Sequence, residues 1–317
     1  MYCDYYLEFV KWCYRITTGV GPLVSLVLLF IIYKTRKSVL KDYQTILVLY
    51  CIHDLLFEIV CLLSYLQSNI KVDVLIIGTR FGVDQPQSVA VMAALYLYSM
   101  YMLLFMLLVS CHCRYNVLKN VHNTNKKQWI TSYVTINVLS ILSALLTIYV
   151  LLEEGNVITK KYRDDICFGE STKNYLEIDT KKLRVRLLIG KWLLTLFIVY
   201  GIAVWYGAKT LKLLSSSAAK YSTRTLTTQR QLTKVIIIQG LIPMITSVGP
   251  LSVTCLCIIF VIDPKGMEVT LYGCVSWIPV LNALSTIVFI KQYRQFIVRI
   301  WRTKKFNHSV TSRTSYQ

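Results

Sequence analysis

Seven runs of mostly apolar residues cross this chain, each near the length of about 20 that a helix needs to span a bilayer. They cover 17–33, 43–66, 87–111, 129–151, 187–208, 234–262 and 269–290, and charged or turn-forming residues bound each one. Hydrocarbon offers no water to an unpaired backbone, so such runs fold as helices whose N–H and C=O groups bond within the segment. A transmembrane barrel would instead alternate over strands of about 10 residues. The expected fold class is therefore all-α, a seven-transmembrane helix bundle. Only 16% of the residues are charged, against about a quarter in a soluble domain. The first run holds Gly19, Gly21 and Pro22 and is the least regular. It lacks a small-residue cleavage site, so it reads as a first span and not as a cleaved signal.

Charge orients the bundle. The segments after spans one, three, five and seven hold 21 Lys and Arg, counting Lys234 at the entry to span six, against one acid, Asp42. The segments on the opposite side hold 13 basic residues and 13 acids. Basic loops stay in the cytoplasm, so the N-terminus is expected outside and the C-terminus inside. The net charge of +19 then needs no nucleic acid and suits contact with anionic membrane lipid. The expected division is an extracellular N-terminus (1–16), a seven-transmembrane domain (17–290) and a basic cytoplasmic tail (291–317). Within the tail, KQYRQFIVRIWR sets basic residues against Phe296, Ile297, Ile300 and Trp301. That pattern predicts a short amphipathic helix on the membrane surface.

No phosphate loop, nucleophile elbow, His-Glu-x-x-His or Cys-x-x-Cys occurs, and the four histidines lack ligand spacing. The expectation is no enzyme, no cofactor and no metal. Ionisable groups inside spans are functional candidates by default. Asp54 and Glu58 share one helical face. Asp54 lies about 17 Å, and Asn282 about 13 Å, from the cytoplasmic ends of their spans. Those depths suit a shared polar cluster that holds water or a cation and changes on activation, or one that only aligns helices. Pro243 predicts a kink, and so a hinge, in span six.

Lys191 lies about 6 Å inside the outer end of span five. It either snorkels to the interface or anchors an anionic ligand. Tyr98, Tyr101, Trp192 and Trp277 are outer-half aromatics suited to a ligand pocket or to interface anchoring. Of ten cysteines, Cys3, Cys13 and Cys167 are the ones expected on the outer side of the membrane, where disulfides form. The candidate bridge joins Cys167 to Cys3 or Cys13.

Three blocks carry a family resemblance. CRYNVLKN closes span three with Arg114-Tyr115. STRTLTTQRQLTKVIIIQGLIPMI enters span six with a Gln-x-x-Ile-Pro pattern. VLNALSTIVFIKQYRQFI leaves span seven with Tyr-Arg after the last apolar run. Together they resemble nematode chemosensory serpentine receptors, class delta above all, which are G-protein-coupled receptors. The resemblance implies an olfactory-type receptor in the plasma membrane, with a sensory cilium as the narrower expectation. It also implies a small-molecule ligand in the outer half of the bundle and a heterotrimeric G protein as partner. Arg114, Tyr115, Arg224, Arg230 and Lys234 are the basic-side contacts expected for that partner, and Asp54, Asn282 and Pro243 the switch. Positive-inside charge alone accounts equally well for Arg224, Arg230 and Lys234. The chain departs from the pattern at Ser25 (usually Asn), at Asn282-Ala283 (usually Asp-Pro) and at Cys113, which replaces the acid before Arg114. A transporter or channel subunit is the alternative. It would need a polar stripe through several spans, and only Asp54, Glu58 and Lys191 are available.

Overall fold

The computed structural model describes residues 2–35, 41–64, 66–71, 74–79, 86–119, 126–157, 174–216, 223–260, 262 and 267–300. Among them, seven helices are long and apolar enough to cross a membrane. Spans one to five are the helices Tyr2–Lys34, Lys41–Ser64, Pro86–Lys119, Lys126–Glu154 and Leu183–Ser216. Span six is built of Thr223–Pro243, a π-helical turn Met244–Val248, and Gly249–Phe260. Span seven is Met267–Val275 followed by Ile278–Phe289.

The first helix begins well before the apolar run at 17–33. Val10, Cys13, Tyr14 and Thr17 are all buried, and their spacing of i, i+3, i+4 and i+7 is that of one helical face. Glu8 and Arg15 lie on its exposed side, which hides the pattern from a hydropathy reading. Much of the stretch expected as an external N-terminus thus packs into the bundle. Cys13 lies inside span one, buried and free, where its Cβ comes near Gly273 of span seven. The Cys167–Cys13 bridge is therefore not formed. Cys167 and the Cys3 side chain lie outside the described residues.

The structure adds a four-stranded antiparallel sheet, in the order β1-β2-β4-β3, which the sequence reading lacked. β1 (Gln67–Lys71) and β2 (Val74–Thr79) follow span two. β3 (Gly155–Val157) and β4 (Asn174–Asp179) lie between spans four and five. Leu75 pairs with Ile178 and Ile77 with Leu176. Period-2 alternation sets these four on one face, and all four join the core of the neighbouring helix ends. The sheet joins two loops into one cap over that end of the bundle. The other end carries the basic segments.

Two large apolar clusters fill most of the described interior, with a small third at Leu104, Leu196 and Val199. One lies under the sheet, around Phe57, Tyr96 and Val275. The other lies toward the basic end, around Leu47, Met102 and Val235. After an extended residue at Ile290, residues 291–300 form the expected short helix. Tyr293 is fully buried, and Phe296 and Ile297 pack beside it against the basic-end core. Burial pushes the Tyr293 hydroxyl above its ordinary pKa. Trp301 lies outside the described residues.

Gly155 turns the chain from span four into β3. A Cβ there would sit 2.4 Å from the Leu151 carbonyl oxygen, a backbone atom that cannot swing aside. Gly155→Ala is expected to cost about 1–3 kcal/mol and to lower the thermal unfolding midpoint in detergent. Gly201→Ala, at a position with nothing within 4 Å, is the matched control and shows no loss.

Candidate functional site

The polar groups of the spans assemble in three places. The first lies between the two apolar clusters. Asp54 is 2% exposed and Asn282 is 1% exposed, and the Asn282 amide donates to Asp54 Oδ1 at 3.3 Å. Thr286, one turn on, donates to the Asn282 carbonyl at 2.9 Å and accepts from Gln239 Nε2 at 3.0 Å. The network therefore runs from span two through span seven to span six. It reaches span six one turn before Pro243, where the helix widens into the π turn. Of the three residues expected to form a switch, Asp54 and Asn282 are hydrogen-bonded and Pro243 lies one turn beyond Gln239; Gln239 and Thr286 are links that the sequence reading missed. Gln239 stands in the Gln-x-x-Ile-Pro block. Its type and position were visible, but its partner was not.

Glu58 lies one turn from Asp54, toward the sheet. It is buried, and neither carboxyl oxygen has a hydrogen-bond partner among the described residues. Its side chain rests on Gly21 of span one, where a Cβ would come 2.2 Å from Oε1. Spans one and two run antiparallel, so Ser25, one turn from Gly21, falls level with Asp54. The Ser25 hydroxyl and Asn282 Oδ1 are likewise buried without partners. Unsatisfied buried polar groups are costly and few in native proteins, so their concentration on one level marks a site.

The second place is the basic end. Arg114 is buried, and its Nη2 donates to the Gln229 carbonyl of span six at 2.7 Å. Nε and Nη2 both reach Thr233 Oγ1 at 3.4 Å. With Cys113 where an acid would stand, the arginine is held by a backbone carbonyl and a hydroxyl on span six. Tyr115 turns toward span five, with its ring 5.7 Å from that of Tyr206 and Lys209 6.0 Å from its centroid. Arg230 and Lys234 are exposed on span six. The Arg224 side chain lies outside the described residues.

The third place lies in the half of the bundle nearer the sheet. Lys191 Nζ donates to Ser143 of span four and sits 5.5 Å from the centroid of the Tyr101 ring, within cation–π range. The lysine thus points into the bundle rather than out to the interface. The Tyr101 hydroxyl and Trp192 Nε1 are buried, and Trp192 Nε1 has no hydrogen-bond partner among the described residues. Ser143 and Thr195 are polar neighbours of that hydroxyl. Tyr101 and Trp192 line a void of about 20 Å³ together with Met100, Leu104 and Leu251. Three expected ligand residues are thus brought together. The other two are not: Tyr98 bonds Asn137 of span four at 3.3 Å, and Trp277 is half-buried at the break in span seven.

A family model described as "Serpentine type 7TM GPCR chemoreceptor Srd" matches residues 10–299. The fold is similar to the crystal structure of squid rhodopsin, with a TM-score of 0.57 and 15% identity, covering 94% of this chain and 87% of that one. No curated protein matches the chain.

The contact between Gly21 and Glu58 is testable by a double-mutant cycle. Gly21→Val is expected to destabilise the purified protein by about 1–3 kcal/mol through overpacking. Adding Glu58→Ala removes the obstructing carboxyl and recovers most of that loss. Simple additivity of the two changes in thermal unfolding would place Glu58 away from Gly21.

Proposed function

Because the chain belongs to the Srd family of serpentine seven-transmembrane chemoreceptors, we propose that it is a chemosensory receptor that binds a small molecule in the outer half of the bundle and activates a heterotrimeric G protein. The sheet-capped end faces outward and the basic end faces the cytoplasm. The charge asymmetry of the loops supports that orientation and a plasma-membrane site, with the sensory cilium its most specific version.

One observation carries the reading. Arg114 joins spans three and six at the basic end through the Gln229 carbonyl and Thr233. A G protein needs a groove between those helices, so this contact defines a closed packing. Activation is then a shift toward a packing in which it is broken. The network from Asp54 through Asn282 and Thr286 to Gln239 reaches span six beside its Pro243 hinge. Rearrangement of the outer half biases the latch by that route. The unpartnered oxygens of Glu58 and Asn282 give the cluster room to take up water or a cation in one state and to release it in the other.

Lys191, Tyr101 and Trp192 supply one cation, one hydroxyl and one indole N–H beside an apolar wall. That donor set suits a small anionic ligand such as a carboxylate. The void beside them is far below the range of about 300–1,000 Å³ typical of ligand sites. Binding therefore requires the outer halves of spans three, five and six to part, which ties occupancy to helix movement.

Two measurements test the proposal in cells co-expressing the receptor and G proteins. Thr233→Val removes a hydroxyl partner of Arg114 while keeping the side-chain shape. A net hydrogen bond is worth about 0.5–1.5 kcal/mol, so basal G-protein activation should rise roughly two- to tenfold. Unchanged basal signal would remove the latch from the mechanism. A panel of small carboxylic acids and their matched esters should contain agonists among the acids. Lys191→Met should weaken them by about tenfold or more, since hydrogen bonds to charged groups contribute about 1.5–3 kcal/mol. Equal responses to acids and esters would reject the anionic class.

A further inference from the structure

One recess among the described residues is not in the outer half. It lies between spans three, five and six near the basic end and encloses about 330 Å³. That volume falls within the range of small-molecule sites, about 300–1,000 Å³. Its lining runs from Tyr200 to Leu211 on span five and from Thr233 to Met244 on span six. At 1.5 Å per residue it extends about 16 Å along the helix axes, parallel to the surrounding lipid chains. Gly207 and Gly240 keep its walls apart, and exposed Val204, Leu241 and Met244 form its lipid-side rim.

The recess is almost wholly apolar, with polar groups toward one end. Arg114, Thr233 and Thr210 line it there, near the basic end of their helices. Thr210 is 3% exposed, and its hydroxyl has no hydrogen-bond partner among the described residues. A helical threonine usually satisfies its hydroxyl on the preceding turn, as Thr233 does here on the Gln229 carbonyl at 3.0 Å. Thr210 does not, which leaves a hydroxyl beside a fixed positive charge at the foot of a long apolar slot.

We propose that this recess binds a single-chain fatty acid, with the chain lying along spans five and six and the carboxylate at the foot. The long apolar body selects hydrocarbon. The guanidinium and the spare hydroxyl select an anionic acceptor head. A phosphatidylcholine chain offers no anion at that depth, because its headgroup stays at the membrane surface. The site is separate from the outer cluster of Lys191 and Tyr101, and its occupancy does not depend on which molecule binds there or on G-protein coupling.

The test uses the full chain in phosphatidylcholine nanodiscs with a diazirine-bearing palmitic acid. Photoadducts mapped by mass spectrometry should concentrate within residues 200–211 and 233–244, and excess palmitate should displace them. Gly207→Phe fills the slot and should lower labelling at least fivefold. Gly190→Phe, on the same helix outside the recess and equally free of neighbours within 4 Å, should leave it unchanged. If Gly207→Phe does not fold, Gly207→Leu should still lower labelling about threefold. Thr210→Val should reduce the apparent affinity for palmitate several-fold. Adducts spread evenly over lipid-facing helices would overturn the proposal, as would labelling that ignores both Gly207 variants. Displacement by methyl palmitate as strong as by palmitate would overturn the carboxylate assignment. Loss of labelling as the phosphatidylcholine content rises would give the slot to membrane lipid instead.

Discussion

A polar group inside hydrocarbon has no partner except one that the protein supplies, and this constraint organises the whole bundle. It makes every span a helix. It also makes each interruption of a helix consequential. Pro243 donates no N–H, and the next turn opens to π geometry, with the Gly249 N–H returning to the Met244 carbonyl. Such a turn weakens the ladder where bending has to occur. The side chains around it compensate: Gln239 bonds Thr286 across to span seven, and Tyr200 donates to the Gly240 carbonyl from span five at 3.4 Å. The interruption in span six is thus held by polar contacts from its neighbours.

The spans and the positions of their polar residues were legible because both depend on local composition. Twenty apolar residues in a row carry their own evidence, and a buried Asp or Lys is conspicuous against them. The partners were not legible. That Asp54 meets Asn282 follows from depth along two helices, but that Thr286 and Gln239 continue the chain depends on how spans six and seven are rotated. No periodicity in an all-apolar helix reports that rotation. Arg114 was visible as a candidate through its Arg-Tyr context, whereas its acceptor is the backbone of Gln229, which has no side-chain signature at all.

The sheet failed to appear in the sequence reading for a related reason. β1 and β4 read QSNIK and NYLEID, mixed segments too short to alternate convincingly, and β3 has three residues. β1 pairs with its hairpin neighbour β2, but β2 then pairs with β4 about a hundred residues on, and β3 pairs with β4 across a loop, so the information lies in register rather than in any one strand. The same holds for the start of the first helix. Its buried face at Val10, Cys13, Tyr14 and Thr17 is periodic, but Glu8, Lys11 and Arg15 lower the hydropathy of the stretch. Hydropathy locates the lipid-exposed length of a helix, and amphipathic spacing locates the part that packs under a cap.

The replacement of an acid by Cys113 has a physical consequence for the latch. An arginine held by a neighbouring carboxylate is held by a titratable group, so protonation of that acid loosens it. Arg114 instead meets a backbone carbonyl at 2.7 Å and a threonine hydroxyl, and neither titrates in any accessible pH range. The closed packing thus includes two acceptors of span six. Its geometry is set by where span six bends, because Gln229 and Thr233 lie on the basic side of Pro243 and move as one helical segment. A bend at the π turn carries both acceptors away from the arginine together. In the proposed mechanism the hinge and the latch are then two ends of one helical segment, and a contact that moves Gln239 acts on both.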